Sequence, residues 1–339
     1  MSVVIKEVSN KAELRQFVKF NIELYEGNPY HVPGLISDEL MTLDKTKNPA
    51  FEFCEAIYFL AYKNGVIAGR IAGLINHRAN QTWNQQYARF GFLDFIDDEA
   101  VSEALFKAVE QWAVQKGMTG IQGPLGFTDL DHEGLLVWGF NQVGTMATAY
   151  SFPYYQEHLA KRGYVKEQDW QEFQIQIPKE VPENYRRVAE IALKRHGLKI
   201  MKFKHTREIW PYAKKIFQLV NDAYRPIYGY SELSPRQIDY YIKMYIPMLR
   251  LDFITVITRE SDDAVVGLGL TLPSLSHALK KAKGRFFPTG WYHLLKALYG
   301  KAGIVDLYIM GVLPEYQNKG VNAIVFYDLI PIFNKAGVR

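Results

Sequence analysis

An internal repeat constrains the fold of this chain more than any other feature of its sequence. Each copy contains two β-rich runs joined by a polar turn, and these runs are residues 57–62 with 66–75 and residues 253–258 with 265–272. Asn64 and Gly65 in the first turn are typical of a β-hairpin, and Gly69 and Gly267 occupy like places in the two copies. Because a repeated unit dictates the architecture, we expect two α/β domains of similar plan.

The elements around the hairpins repeat as well. A helical pattern precedes each hairpin and a strand and a second helix follow it, at 14–25, 88–96 and 99–113 in the first copy and at 209–223, 304–313 and 321–333 in the second. Gly117 and Gly337 are typical helix stops. The first copy continues with a strand near 118–122, a helix near 153–162 and a strand at 172–177. The second stops at Arg339, so we expect that the natural chain runs on or that another element completes this sheet.

The two copies predict domains at residues 1–178 and 184–339. Two prolines and several charges between 178 and 183 interrupt the pattern and are typical of a linker. Residues 184–203 predict a helix and an edge strand that begin the second domain. A length of 339 residues agrees with two domains.

The bulk composition excludes several classes of protein. The single cysteine, Cys54, forms no internal disulfide, and one thiol cannot build a Cys-rich zinc site. The net charge of +4 comes without a long Lys/Arg block, so we expect no nucleic-acid partner. The N-terminus lacks the pattern of a secretory signal, and no segment approaches the ~20 apolar residues of a membrane span. These features predict a cytoplasmic protein.

The strand at 304–313 leads through a polar loop into the helix at 321–333. Backbone N–H groups at a helix N-terminus lack helical partners and favour an anion. Gly320 allows close approach of the backbone to a phosphate, and Gln317, Asn318 and Lys319 add donors. This spacing predicts a site for a pyrophosphate.

The loop resembles the acyl-CoA motif of the GNAT acyltransferase superfamily, Gln/Arg-x-x-Gly-x-Gly/Ala. Gln317 and Gly320 match it, whereas Asn322 stands where the family has Gly or Ala. The resemblance implies two GNAT-like domains, each a mixed, mostly antiparallel sheet flanked by helices, and acetyl-CoA or a longer acyl-CoA as co-substrate. It further implies that the pantetheine lies along Ile309, Met310, Gly311 and Val312, and the pyrophosphate along Gln317, Asn318, Lys319, Gly320, Val321 and Asn322.

The corresponding loop of the first copy, residues 94–99, has no Gln-x-x-Gly and contains four acidic residues. Acidic side chains repel a pyrophosphate. The first domain therefore resembles a GNAT domain without coenzyme binding, with a role in shaping the acceptor site.

Acyl transfer to an amine needs a base, an oxyanion donor and an acid for the thiolate. The candidate base is Asp306, which alternation groups with Tyr308 and Met310, and an N–H near Met310 is the candidate oxyanion donor. A charge at the exposed start of a strand is the alternative for Asp306, and a core position is the alternative for Tyr308. The resemblance places acceptor-binding residues after the second domain's first helix, at Tyr224, Tyr228, Tyr230 and Glu232. The acid for the thiolate is not assigned.

Two further segments carry open alternatives. Asp129, Asp131, His132 and Glu133 lie in one loop, where caps and turns are commoner uses than a metal site, and we predict no metal. Residues 280–299 combine lysines with aromatic residues, and Trp291, Leu294, Leu295 and Leu298 share a helical face. This segment is either a membrane or acyl-chain contact or a packed lid.

The sequence thus predicts an acyl-CoA-dependent N-acyltransferase in which a small-molecule or peptide amine attacks the thioester directly. The alternatives are a peptidoglycan-bridge type aminoacyltransferase and a non-catalytic acyl-CoA sensor. The oligomeric state is left open.

Overall fold

The computed structural model describes residues 2–338. The chain forms two compact units: unit 1 is Met1–Glu172 with Ser276–His293, and unit 2 is Phe173–Leu275 with Leu294–Arg339. The segment Ser276–His293, an insertion in the second copy, therefore belongs to unit 1. Its Ser276 hydroxyl donates to the Gly144 carbonyl at 2.8 Å, and the Ile36 N–H donates to the Gly284 carbonyl at 2.9 Å.

Unit 1 is built on a five-stranded sheet in the order β1-β2-β3-β4-β5, antiparallel except for the pair β4–β5. Its elements up to residue 172 are β1 (Val3–Glu7), α1 (Lys11–Leu24), α2 (Ile36–Leu43), β2 (Cys54–Lys63), β3 (Val66–Asn76), α3 (His77–Thr82), β4 (Tyr87–Phe95), α4 (Glu99–Gln115), β5 (Gly120–Gln122) and α5 (Tyr154–Lys161).

Unit 2 is built on a four-stranded antiparallel sheet in the order β6-β7-β8-β9. The remaining elements of the chain are α6 (Glu183–His196), β6 (Leu198–Met201), α7 (Thr206–Tyr224), α8 (Pro235–Tyr245), β7 (Ile254–Arg259), β8 (Val265–Pro273), α9 (Ser276–Ala282), α10 (Gly290–Tyr299), β9 (Val305–Val312) and α11 (Val321–Ala336). Of these, α9 and the first residues of α10 lie in unit 1.

Both predicted hairpins are confirmed, and they share a backbone irregularity. Ala68 is the extra residue of a bulge just before Gly69, and Val266 is the extra residue just before Gly267. The first hairpin turns at Asn64-Gly65, where both residues have positive φ, as the twist of a tight hairpin requires. A bulge at the same place in both copies supports the repeat beyond the sequence pattern.

One helix lies close against each hairpin because glycine leaves room for it. A Cβ atom at Gly69 would lie 2.7 Å from Leu105 Cδ1 of α4, and one at Gly269 would lie 2.3 Å from Val325 Cγ1 of α11. The two helices therefore bury their apolar faces directly on β3 and β8, and this contact forms one of the buried apolar clusters in each unit.

One predicted element is wrong. Residues 172–177 form no strand, and both Phe173 and Ile175 are exposed. The alternation of polar and apolar residues in this segment resembles that of a strand, but within the described residues the segment pairs with no strand of either sheet.

Candidate functional site

The loop between β9 and α11 has a backbone conformation that few residues tolerate. Asn318 has a φ angle of +59° and Gly320 one of +77°. A Cβ atom on Gly320 would lie 2.5 Å from Cγ1 of Val188 on α6. Glycine is therefore the residue that fits position 320, and asparagine is among the few side chains that readily adopt a positive φ at position 318.

The N-terminus of α11 is open to a ligand. Gly320 is its N-cap residue, and no side chain among residues 2–338 caps the helix. Asn322 does not act as a cap and is exposed. Uncapped N–H groups and the helix dipole together favour an anion at this end. Lys319 is also exposed and holds its ammonium 5.6 Å from the centre of the Tyr316 ring.

A cavity of about 400 Å³ lies beside the loop. Its walls come from α6 and from the loop itself, and consist of Val188, Ile191, Ala192, Arg195, His196, Asn318, Lys319 and Gly320. Arg195 and His196 are not among the predicted site residues. The signal in the sequence is the basic last turn of α6, which ends at Gly197 with a left-handed φ. Arg195 and His196 make the α6 wall of the cavity basic.

The edge of β9 is bound by two of the protein's own side chains. The Met310 N–H donates to the Tyr224 hydroxyl oxygen at 3.3 Å, and the Tyr224 hydroxyl donates to the Met310 carbonyl at 3.2 Å. Gln317 Nε2 donates to the Val312 carbonyl at 3.1 Å. Burial raises the pKa of Tyr224, so its phenol stays protonated at neutral pH. The backbone groups expected to meet pantetheine are thus already hydrogen-bonded within the protein.

Asp306 and Tyr308 are brought together, but Asp306 and Met310 are not. Tyr308 is the extra residue of a β-bulge, and its hydroxyl donates to Asp306 Oδ2 at 3.2 Å. Met310 pairs with Gly269 and Asp306 pairs with Leu272, three residues further along β8. Side chains that lie an odd number of residues apart on a strand point to opposite faces of the sheet. The grouping of Asp306 with Met310 by alternation is therefore wrong, because the bulge shifts the phase of β9.

Of the four residues predicted to bind the acceptor, Tyr224 is the last residue of α7 and the other three lie in the loop after it. Tyr230 is buried, and its hydroxyl donates to Asn221 Oδ1 at 2.8 Å. Glu232 accepts a hydrogen bond from Arg225 Nε at 2.5 Å. Tyr228 is half-buried in the same loop. Their role in acceptor binding stays a prediction.

The corresponding helix of unit 1, α4, has a closed N-terminus. Asp98 is its N-cap residue and accepts a hydrogen bond from the Val101 N–H at 3.1 Å. Asp98 also pairs with Lys63, and Glu99 pairs with Lys161. The acidic side chains of this loop therefore occupy the place where an anion would meet the helix.

The edge of β4 is also filled in unit 1. The Phe95 N–H donates to the Tyr155 hydroxyl oxygen at 3.0 Å, and the Tyr154 hydroxyl donates to the Phe95 carbonyl at 2.5 Å. The rings of Phe95 and Tyr155 lie with centroids 4.3 Å apart, and Tyr155 is fully buried. Tight aromatic packing leaves this edge no room for an extended ligand.

The loop of unit 1 that contains residues 129–133 is held by hydrogen bonds within itself. Asp131 Oδ2 accepts hydrogen bonds from the N–H groups of Phe127 at 2.8 Å and Thr128 at 3.1 Å. Burial and the nearby Asp129 raise the pKa of Glu133 to about 8. Within the described residues, no group of three His, Cys, Asp or Glu side chains is placed to hold a metal ion.

The aromatic segment of residues 280–299 is exposed along much of its length. Leu294 and Leu298 are buried, whereas Trp291 and Leu295 are exposed, so α10 does not bury one common apolar face. Among residues 2–338, no helix has both the length and the apolar character needed to cross a membrane.

Comparison with known proteins decides the fold. No protein-family model matches the sequence. A tandem GNAT protein from the clavulanic acid biosynthesis pathway superposes with a TM-score of 0.51 at 12% identity, over 100% of this chain and 88% of that one. The chain has the tandem GNAT fold. The two GNAT units agree with the repeat in the sequence, and the strand–loop–helix motif with an open helix N-terminus occurs in the second GNAT unit.

Two sequence relatives align with most of this chain. A protein named bacterial ceramide synthase, from Caulobacter vibrioides (strain NA1000 / CB15N), is 28% identical over 319 residues, which are 91% of this chain and 80% of that protein. Protein YghO of Escherichia coli (strain K12) is 25% identical over 332 residues, which are 96% of this chain and 83% of that protein.

Proposed function

We propose that this chain is an N-acyltransferase that takes its acyl group from acyl-CoA and binds the coenzyme on unit 2. The open N-terminus of α11 behind Gly320 carries the proposal, because it presents unpaired N–H donors where the motif expects a pyrophosphate. Lys319 and Arg195 at the same cavity add positive charge. The corresponding helix end in unit 1 is closed, since Asp98 caps α4.

The acceptor that we propose is a long-chain amino alcohol. A ceramide is an amide of a fatty acid with such an amine, and the relative named bacterial ceramide synthase aligns with 91% of this chain. The corresponding reaction joins the amine nitrogen to the thioester carbonyl carbon, breaks the C–S bond and releases coenzyme A as the thiol. The amine loses one proton and the departing sulfur gains one.

The groups near β9 have chemistry suited to these steps. Asp306 is the proposed base, and the Tyr308 hydroxyl at 3.2 Å orients its carboxylate. The Met310 N–H is the proposed donor to the developing oxyanion. Because Tyr224 holds this N–H through a hydrogen bond of 3.3 Å, the substrate carbonyl has to replace the Tyr224 hydroxyl there.

The test is acyl-CoA binding and turnover by the purified chain and a charge-reversal variant. Lys319→Glu replaces a positive charge at the loop by a negative one. A reversed charge about 6 Å from a pyrophosphate changes the binding free energy by roughly 1–2 kcal/mol, so acyl-CoA binding should weaken about tenfold at low salt. Lys107→Glu, on the exposed face of α4 in unit 1, is the matched control. Equal affinity of the two variants would show that the coenzyme does not bind at this loop.

Turnover separates an enzyme from a non-catalytic acyl-CoA sensor. The sensor is the second candidate, because the proposed oxyanion donor already has an internal partner in Tyr224. Thiol release from palmitoyl-CoA with a long-chain amino alcohol, with the amide identified by mass spectrometry, would support the enzyme. Binding without thiol release across long-chain and short amines would support the sensor.

A further inference from the structure

The segment Ser276–His293 of unit 1 presents aromatic side chains to solvent. Phe286 is 41% exposed, Phe287 72%, Trp291 40% and Tyr292 52%. We call these four residues the aromatic surface. Burying such side chains is favourable by about 1.5–3 kcal/mol each, so a monomer rarely leaves four large aromatic residues together in water without a use for them.

The backbone of the segment is fixed to unit 1, so the aromatic surface is not a loose loop. Gly284 accepts a hydrogen bond from the Ile36 N–H at 2.9 Å, and a Cβ atom at Gly284 would lie 2.2 Å from Ile22 Cδ1. Lys280 donates to the Pro29 carbonyl. The side of the segment that carries Ala278, Leu279 and other apolar residues is buried, and the aromatic side is left outward.

The charge of this segment has one sign. Residues 276–293 contain four Lys or Arg residues and no Asp or Glu. Lys281, Lys283 and Arg285 are exposed, and none of them forms an ion pair with a residue of the described chain. Basic side chains next to exposed aromatic rings are complementary to an anionic lipid surface, which attracts the cations and receives the rings at its interface.

Two exposed tryptophans elsewhere in unit 1 lack this combination. Trp170 is also exposed, but it follows Glu167 and Asp169 and precedes Glu172. Trp138 is 82% exposed with no Lys or Arg among residues 133–147. Exposure of an aromatic ring alone therefore does not single out a membrane surface, whereas exposure together with an acid-free basic segment does.

We propose that the aromatic surface, with Lys281, Lys283 and Arg285, binds the chain peripherally to anionic lipid bilayers. Each Lys or Arg near an anionic surface strengthens binding by about fivefold, and the rings add interfacial contact. The proposal does not depend on the proposed acyltransferase activity, because bilayer binding needs neither acyl-CoA nor an amine.

The experiment is flotation of the purified chain with vesicles of phosphatidylglycerol and phosphatidylcholine, compared with vesicles of phosphatidylcholine alone. We expect binding to the anionic vesicles, at least tenfold weaker binding to neutral ones, and loss of binding at 1 M salt, where the Debye length falls to about 3 Å. Phe287→Ser with Trp291→Ser and, separately, Lys283→Glu with Arg285→Glu should each reduce binding at least tenfold.

Two control variants test whether any exposed ring or charge has the same effect. Trp138→Ser and Lys107→Glu alter exposed residues elsewhere in unit 1 and should leave vesicle binding unchanged. Circular dichroism and thermal unfolding check that each variant is folded. The proposal is overturned if wild type ignores anionic vesicles or binds neutral vesicles equally well. It is also overturned if Phe287→Ser with Trp291→Ser converts a stable dimer into a monomer without changing vesicle binding, which would assign the surface to self-association.

Discussion

Replacing Gly320 by alanine tests the loop geometry on which the proposed coenzyme binding depends. Gly320 has φ +77°, and an alanine held in the left-handed region costs about 1–2 kcal/mol. The new Cβ would also lie 2.5 Å from Val188 Cγ1. Valine has one preferred χ1 rotamer in a helix, so relieving this overlap requires a shift of α6 or of the loop at about 1 kcal/mol or more. We expect Gly320→Ala to lower the free energy of unfolding by roughly 2–3 kcal/mol.

A double-mutant cycle with Val188→Ala separates the two costs. Val188 is 41% exposed, so Val188→Ala alone should change stability by under about 1 kcal/mol. In the double variant the steric overlap is gone while the positive φ remains. Gly320→Ala with Val188→Ala should therefore be more stable than the sum of the single changes predicts, by roughly 1 kcal/mol.

Urea unfolding followed by circular dichroism measures the cycle, and acyl-CoA titration of each variant measures the consequence for the ligand. An unchanged slope with urea shows that the variants unfold from the same state. A Gly320→Ala variant within about 0.5 kcal/mol of wild type would refute the left-handed conformation at position 320. A coupling energy near zero would refute the contact with Val188 and leave the backbone argument in place.

Two further predictions concern single polar side chains. Tyr224→Phe removes the hydroxyl that is hydrogen-bonded to both backbone groups of Met310. We expect the variant to lose about 1 kcal/mol of unfolding free energy but to bind acyl-CoA several-fold more tightly. A fall in both stability and acyl-CoA affinity would contradict a competition between the phenol and the ligand. The pKa of Glu133 is raised to about 8, so the folded chain holds a proton there that the unfolded chain loses near pH 4.5. The stability that the protonated Glu133 side chain contributes is therefore fully present below about pH 4.5 and is lost as the pH rises to about 8. Glu133→Gln should remove this pH dependence of the unfolding free energy, which amounts to up to a few kcal/mol over the window. An unchanged pH profile in the variant would refute the raised pKa.

The repeat was readable in the sequence because each hairpin is a local structure. Asn64-Gly65 adopts the positive φ angles that a tight hairpin needs, and Gly337 ends α11 in the left-handed region. The open helix end at Gly320 was readable for the same reason, since a glycine before a helical pattern has no side chain with which to cap it. The strand predicted at 172–177 failed because a strand also needs a partner, and its own residues do not reveal one.

Contacts between distant segments decided the rest of the site. Arg195 and His196 lie about 120 residues before the loop, and only the packing of α6 brings them to its cavity. The bulge at Tyr308 depends on how β9 pairs with β8, and it separates Asp306 from Met310 although the alternation of the sequence groups them.

The sequence by itself determined two α/β units, the hairpins within them and the loop with an open helix end, because these features depend on the φ angles, the periodicity and the capping of neighbouring residues. The tertiary structure alone decided that Ser276–His293 belongs to unit 1 and that Tyr224 holds the edge of β9. Both depend on contacts between residues far apart in the chain, whose free energy is realised only after the chain has folded, and no local pattern records which distant partner a segment will find.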